Sequence, residues 1–266
     1  MKEVENYIEI NRRTWNEKTT VHFDSEFYNV KEFIAGGNSL NSIELDLLGD
    51  VSNKKILHLQ CHFGQDSISL SRMHADVTGV DLSDKAIEKA TELTELCGEN
   101  VRFICSDIYE LEKHLDEQFD IVFTSYGTIG WLPDLNKWSK IIDRFLKPSG
   151  RFVFAEFHPV VWMFDDDFTE VKYHYFNVHP IIEIEEGTYA DKTANLSEKY
   201  CCWNHSLADV FQSLMKVGLT IESFQEFDYS PYNCFNKTVQ LDKKKYQLQP
   251  FGNKIPLVYS LSATKV

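Results

Sequence analysis

No apolar run in this chain approaches the roughly 20 residues needed to cross a bilayer, so no transmembrane helix and no membrane partner are expected. Positive charge is the second shortage. Lysine and arginine number 27 against 41 aspartates and glutamates, a formal net charge of −14. A surface of that sign opposes neutralisation of a phosphate backbone, so no nucleic-acid partner is expected, and Lys243-Lys-Lys245, the longest basic run, reads as a solvated loop. Cys61, Cys97, Cys105, Cys201, Cys202 and Cys234 repeat no metal-ligand spacing, and no signal peptide precedes them. They are expected to stay reduced in the cytoplasm, with no metal bound. The chain also lacks an internal repeat, a low-complexity tract and a linker. Its 266 residues, 43% of them hydrophobic, therefore read as one domain with decoration around a single core. Nothing in the composition sets an oligomeric state.

What the chain does have is alternation of short apolar strands with helices. An opening helix through Val4, Ile8 and Trp15 leads into an aromatic stretch with Phe23, Phe27, Tyr28 and Phe33. Ser39 is expected to cap a helix with Ile43, Leu47 and Leu48 on one face and Gly49 at its end. Strands follow at Lys55 to Leu59, Asp76 to Asp81, Val101 to Ser106, Phe119 to Ser125 and Arg151 to Phe157. Between them come a helix from Ser67 to His74, one from the Ser83 cap to Gly98, and an amphipathic one through Trp138, Ile141, Ile142 and Phe145, stopped by Pro148-Ser-Gly150. Past Pro159 the alternation breaks, and Tyr173 to Phe176 and Ile181 to Ile184 read as antiparallel strands of an insertion. A helix from Ser206 to Val217, with Gly218 as its stop, precedes strands from Leu219 to Phe227 and Pro256 to Thr264. These last two are expected to pair antiparallel at one edge of the sheet. The reading is thus α/β and Rossmann-like: an amino-terminal lid over 1–38, a binding core over 39–158, an insertion over 159–204, and a carboxyl-terminal helix and hairpin over 205–266.

Three strands end in polar or acidic turns, which is how an open α/β sheet presents groups to a nucleotide-like ligand. Gly64 sits where the chain leaves the first strand, and a missing Cβ there is expected to let backbone N–H groups approach a ligand. Asp81 ends the second strand about 17 residues later, placed to accept from both ribose hydroxyls of an adenosine-type ligand. Asp107, after the third, is placed to accept from an adenine amino group while Ile108 packs on the ring. The plainer alternative is that both aspartates are turn residues preceding helices.

The segments Leu59-Gln-Cys-His-Phe-Gly-Gln-Asp66, Phe119-Asp-Ile-Val122, Gly130-Trp-Leu-Pro-Asp-Leu135, Leu146-Lys-Pro-Ser-Gly-Arg-Phe152 and Glu156-Phe-His-Pro159 make the chain, from about Leu47 onward, resemble the class I S-adenosylmethionine-dependent methyltransferases, in a branch acting on small molecules. The resemblance implies a seven-stranded, mostly parallel sheet with helices on both faces and its last strand inserted antiparallel beside the fifth. It implies S-adenosyl-L-methionine as cofactor, held by Gln60, His62, Phe63, Gly64, Asp66, Asp81, Leu82, Asp107, Ile108, Ser125 and Tyr126. The chain departs from the family's Asp-x-Gly-x-Gly-x-Gly loop: His58 replaces the acid, and Gln60 and His62 replace the first two glycines. Gln60 is then expected to donate to the methionine carboxylate, with His62 packing or hydrogen-bonding beside it.

Methyl transfer asks chiefly for an acceptor lone pair held in line with the methyl group and shielded from water. The resemblance places the methyl group near Ser125, Tyr126 and Gly127, so Tyr126 is a candidate catalytic residue, and His158 at the end of the fifth strand is the candidate base. Trp131 reads either as a wall of the acceptor pocket or as support for its turn. Trp15, His22 and Tyr28 read as a lid over the cofactor or as core packing, and His205 as an acceptor contact or a helix cap. On a strand His58, Gln60 and His62 would share one side and Cys61 the other, which is a poor metal set. Two other readings remain: a catalytically inactive binding protein of this fold, and an NAD(P)-dependent oxidoreductase, which would want a second glycine at position 62.

Overall fold

Residues 6–266 are described by the computed structural model. Val4, expected on the opening helix, lies outside them. Helix α1 (Tyr7–Asp24) and the short α2 (Val30–Ile34) lead to α3 (Ser42–Leu48). This third helix is capped at Asn41 rather than at Ser39. Glu44 Oε1 accepts the Asn41 N–H at 2.6 Å and its amide Nδ2–H at 2.9 Å, the carboxylate half of a capping box. Ser39 instead meets Ser69, with 3.0 Å between their hydroxyl oxygens.

Strand and helix then alternate as expected: β1 (Lys55–Leu59), α4 (Gln65–Arg72), β2 (Asp76–Asp81), α5 (Asp84–Cys97), β3 (Arg102–Cys105), β4 (Phe119–Ser125), α6 (Leu135–Phe145) and β5 (Leu146–Phe157). Ser83 caps α5 through the Ala86 N–H, and Gly98 ends it in the left-handed conformation. The insertion hairpin is β6 (Ile181–Glu186) with β7 (Ser197–Cys202). After it come α7 (Leu207–Lys216), β8 (Leu219–Phe227), β9 (Thr238–Asp242), β10 (Lys245–Leu248) and β11 (Val258–Lys265).

The main sheet has the order β3-β2-β1-β4-β5-β11-β8, with every pair parallel except those made by β11. Period-two alternation along its strands sets the layers. Leu57, Val122, Phe152 and Phe154 join Trp138 and Phe145 of α6 and Val210 and Leu214 of α7 on one face. Ile56, Ile121, Phe123 and Val153 turn the other way, onto Leu48 and Leu70. Each such side chain contributes about 1.5–3 kcal/mol by leaving water.

Two further expectations change. Residues 173–176 are not a strand: the N–H groups of Lys172 and Tyr173 both go to Met163 O, and β6 pairs with β7 instead, Glu183 opposite Tyr200. The basic run is solvated, but it turns a β9–β10 hairpin, with Lys244 at φ 55°. The two last sheet strands do pair antiparallel. It is β8 that forms the edge, because β11 is inserted between it and β5.

Candidate functional site

The carboxyl ends of β1, β2, β3 and β4 open into a cavity of about 1710 Å³, roofed by α1, the insertion hairpin and residues 231–236. The cofactor candidates Gln60, His62, Phe63, Gly64, Asp66, Asp81, Leu82, Asp107, Ile108, Ser125 and Tyr126 all line it; His158 does not.

Where β1 ends, the strand alternation ends with it. Gln60 and His62 stand at φ 54° and 50°, the left-handed region that glycine favours, at about 1–2 kcal/mol each. Residues 58, 60 and 62 all line the cavity: His58 is buried, its Nδ1 2.8 Å from Ser67 Oγ and its ring tilted on Phe123, and beside it stand Gln60 and His62. Hydrogen bonds hold both in place: Gln60 Nε2–H donates to Thr128 O at 2.8 Å, and the His62 N–H donates to Asp81 Oδ2 at 2.8 Å. Gln60 thus gives one of its two amide N–H donors to the protein, and its Oε1 is left buried without a partner.

Gly64 has a packing reason that its sequence position did not suggest. Its φ is 79°, and a Cβ would come within 2.7 Å of the Phe103 ring and 3.1 Å of Ala90. The missing Cβ serves the packing of this loop against β3 and α5. Gly64→Ala is expected to cost about 3 kcal/mol, from overpacking plus the left-handed backbone, read as a lowered urea midpoint.

Asp81, half-buried at the end of β2, accepts the Ser83 N–H on Oδ1 at 2.9 Å and the His62 N–H on Oδ2. Burial pushes its carboxyl up to about 6, with those N–H groups opposing. Asp107 accepts the Tyr109 N–H at 3.0 Å, and burial raises it too. Asp66, in the first turn of α4, accepts from Ser125 Oγ at 3.2 Å. Leu82 and Ile108 are the apolar neighbours of the two strand-end aspartates, and Ile108 is buried.

The lid residues do close over this loop. Trp15 meets the His62 ring edge-on at 5.3 Å, and His22 Nδ1 lies 3.0 Å from His62 Nε2. Tyr28 packs on Phe63 at 4.7 Å and shares a 2.5 Å hydroxyl contact with Tyr189. Burial lowers His22 to about 2 and His62 to about 3, so both rings are neutral. Helix α1 is fixed from both sides: Asn16 accepts from Ser83 Oγ at 2.6 Å, and Asn11 bonds both the N–H and C=O of Cys201 on β7.

The candidate catalytic residues are engaged elsewhere. His158 is buried with Nε2 2.9 Å from Glu226 Oε1, while Nδ1 accepts the Val160 N–H; burial lowers it against the pull of Glu226. It faces β8, not the cavity. Tyr126 lines the cavity with its ring, but its hydroxyl donates to Glu44 Oε2 at 2.7 Å, and burial together with that carboxylate pushes its pKa up. His205 Nε2 lies 2.7 Å from Leu132 O, and Ser206 caps α7. Trp131 fills both of its readings: its Nε1–H donates to Gly127 O, and its ring walls the cavity against Trp15 and Tyr200.

Three residues that sequence reasoning passed over shape the site. Lys18 follows Trp15 by three and precedes His22 by four, a shared helix face that its spacing does signal. Glu156 entered only within the Glu156-Phe-His-Pro159 segment, and Glu44 stands three residues after Asn41, a capping-box spacing that does signal it. Glu44 is fully buried, and desolvation, then the Asp66 charge, raises its carboxyl from 4.5 to about 7. The folded state therefore holds a proton that the unfolded chain releases. Its stabilising share is complete below about pH 4.5 and is lost as pH rises to about 7, a swing on the order of 3 kcal/mol. Glu44→Gln is expected to flatten that decline and to be more stable than wild type at pH 8, measured by urea unfolding across pH.

A family model described as a methyltransferase domain matches residues 50–238. The chain belongs to that family. The match, the strand order and the inserted antiparallel β11 together give it the class I S-adenosylmethionine-dependent methyltransferase fold. Among curated relatives, a ubiquinone/menaquinone biosynthesis C-methyltransferase of Rickettsia peacockii is 32% identical over 57% of this chain and 58% of its own length. A ubiquinone biosynthesis O-methyltransferase of Coxiella burnetii is 31% identical over 40% of this chain and 44% of its own length. The chain thus spans about half the length of these two relatives. Among solved structures, the geranyl diphosphate C-methyltransferase of Streptomyces coelicolor has a TM-score of 0.60 at 14% identity, covering 100% of both chains. An S-adenosylmethionine-dependent methyltransferase of Clostridium acetobutylicum has a TM-score of 0.59 at 17% identity, covering 95% of this chain and 99% of its own. At such identities these two share the methyltransferase fold.

Proposed function

We propose that this methyltransferase moves the methyl group of S-adenosyl-L-methionine to a small molecule enclosed beneath the α1 lid. The observation that carries the reading is the cavity itself. At about 1710 Å³ it exceeds the 300–1,000 Å³ of an ordinary ligand site, which leaves room for an acceptor beside the cofactor.

The residues present fit the cofactor. Asp81 and Asp107, which both line the cavity, suit the ribose hydroxyls and the adenine amino group, with Leu82 and Ile108 against the ring. Gln60 Oε1 and His62 Nδ1 are buried without partners, as expected of groups that await a polar ligand. The free oxygen of Gln60 suits the ammonium of the methionine part rather than its carboxylate. Ser125 and Tyr126 floor the site through Asp66 and Glu44 and hold its shape. The cofactor supplies an activated methyl group, and the chain's task is to orient the acceptor and exclude water. The quinone-pathway names of the curated relatives and the diphosphate ester of the Streptomyces enzyme support a small-molecule acceptor.

A thermal-shift titration tests the reading: S-adenosylhomocysteine at 100 times its dissociation constant should stabilise the fold by about 2.7 kcal/mol, and NAD and NADP should not. Equal shifts with NAD, or none with either S-adenosyl compound, would overturn it.

A further inference from the structure

Lys18 stands on the cavity side of α1 with its side chain only 4% exposed. Its Nζ lies 2.5 Å from Glu185 Oε2 on β6 and over three aromatic rings: Trp15 at 5.3 Å, Trp131 at 5.6 Å and Tyr200 at 5.8 Å. An ammonium carries three donors, and among the described residues Glu185 is its one hydrogen-bond acceptor. The two partners are unequally placed, since the Glu185 side chain is 31% exposed. Glu185 can return to water at little cost, whereas Lys18 can exchange it only for another anion.

The histidines and the tyrosine weighed as proton acceptors are not free to serve an acceptor here. His158 faces Glu226, the Tyr126 hydroxyl is given to Glu44, and His22 and His62 are held neutral by burial far below the range of an effective proton acceptor. An acceptor that enters already deprotonated requires no base. The Lys18 ammonium is positive and almost fully buried, so an acceptor that carries negative charge is stabilised beside it.

Resting on the methyltransferase reading above, we propose that the acceptor is a small aromatic oxyanion, a phenolate or a carboxylate, whose charge replaces Glu185 at Lys18 Nζ and whose ring lies among Trp15, Trp131 and Tyr200.

Calorimetry on the full chain tests this. S-adenosylhomocysteine is titrated first, then benzoate, 4-nitrophenolate, benzyl alcohol and benzylamine, at pH 8. At least one of the two anions should bind ten times more tightly than the alcohol or the amine, and which of them does so separates carboxylate from phenolate. Lys18→Met should weaken that anion at least tenfold while S-adenosylhomocysteine stays within about twofold. Lys18→Arg should retain it, and Glu185→Gln, which removes the competing charge, should tighten it severalfold. Tighter binding of benzylamine, no anion binding to wild type, or an unchanged anion affinity in Lys18→Met would overturn the proposal. So would a parallel loss of S-adenosylhomocysteine in Lys18→Met, which would put Lys18 on the cofactor. If wild type fails to bind S-adenosylhomocysteine, the methyltransferase reading falls by itself, and the Lys18 dependence of anion binding is read on the unloaded protein.

Discussion

Glu156→Ala is expected to lose about 3–5 kcal/mol of stability and, with it, most affinity for S-adenosylhomocysteine. Glu156 is 2% exposed at the end of β5, and no cation faces its carboxylate. Its partners are backbone: the N–H groups of Thr128 at 2.7 Å, Ile129 at 3.2 Å and Phe157 at 2.7 Å, the Gly127 N–H, and the Thr128 hydroxyl at 2.9 Å. One side chain thus pairs three consecutive N–H groups, those of Gly127, Thr128 and Ile129, in the loop that follows β4. Alanine would leave those N–H groups buried and unpaired, and for a domain stabilised by 5–15 kcal/mol such a loss is a large fraction of the total. The loop also carries Thr128 O, which holds Gln60, and Trp131, which walls the cavity. Urea unfolding would read the first effect and calorimetry the second. A variant that keeps both its midpoint and its affinity would show that the nest of N–H groups is satisfied by water.

The second large effect is at Asp81. If its carboxylate accepts both ribose hydroxyls, Asp81→Ala removes two charge-assisted hydrogen bonds of about 1.5 kcal/mol each, and S-adenosylhomocysteine should bind on the order of 100-fold more weakly. The substitution also frees the His62 and Ser83 N–H groups, so Asp81→Asn, which keeps one acceptor oxygen, separates ligand loss from loop loss. Because burial holds the free Asp81 near 6, affinity should be level above about pH 7 and fall as the carboxyl takes up its proton below 6. A calorimetric pH series that stays flat down to pH 5 would place the ribose elsewhere.

Much of the cofactor edge was legible because it depends on local chemistry. Apolar runs of strand length, Ser83 before a helix, Gly98 after it, and an aspartate at the end of each of two strands are all properties of neighbouring residues. The engagement of the candidate catalytic residues was not legible in that way. His158 and Tyr126 occupy the right strand ends, and the partners that take up the His158 ring and the Tyr126 hydroxyl are Glu226 and Glu44, distant in sequence. Gly64 shows the same limit at one atom. Its place in the loop was plain, but the Phe103 ring that requires it comes from β3.

By itself the sequence determined a parallel α/β core, the aspartates at its carboxyl edge, an acidic surface and the absence of a spanning apolar run, because hydrophobic period, capping and charge are set residue by residue. Only the tertiary structure decided that Gln60 and His62 take up glycine's conformation, that Glu156 and Glu44 hold the cavity floor, and that Lys18 meets Glu185 within an aromatic box. Those outcomes join side chains tens to more than a hundred residues apart, and such pairings arise when packing closes the lid and insertion over the sheet.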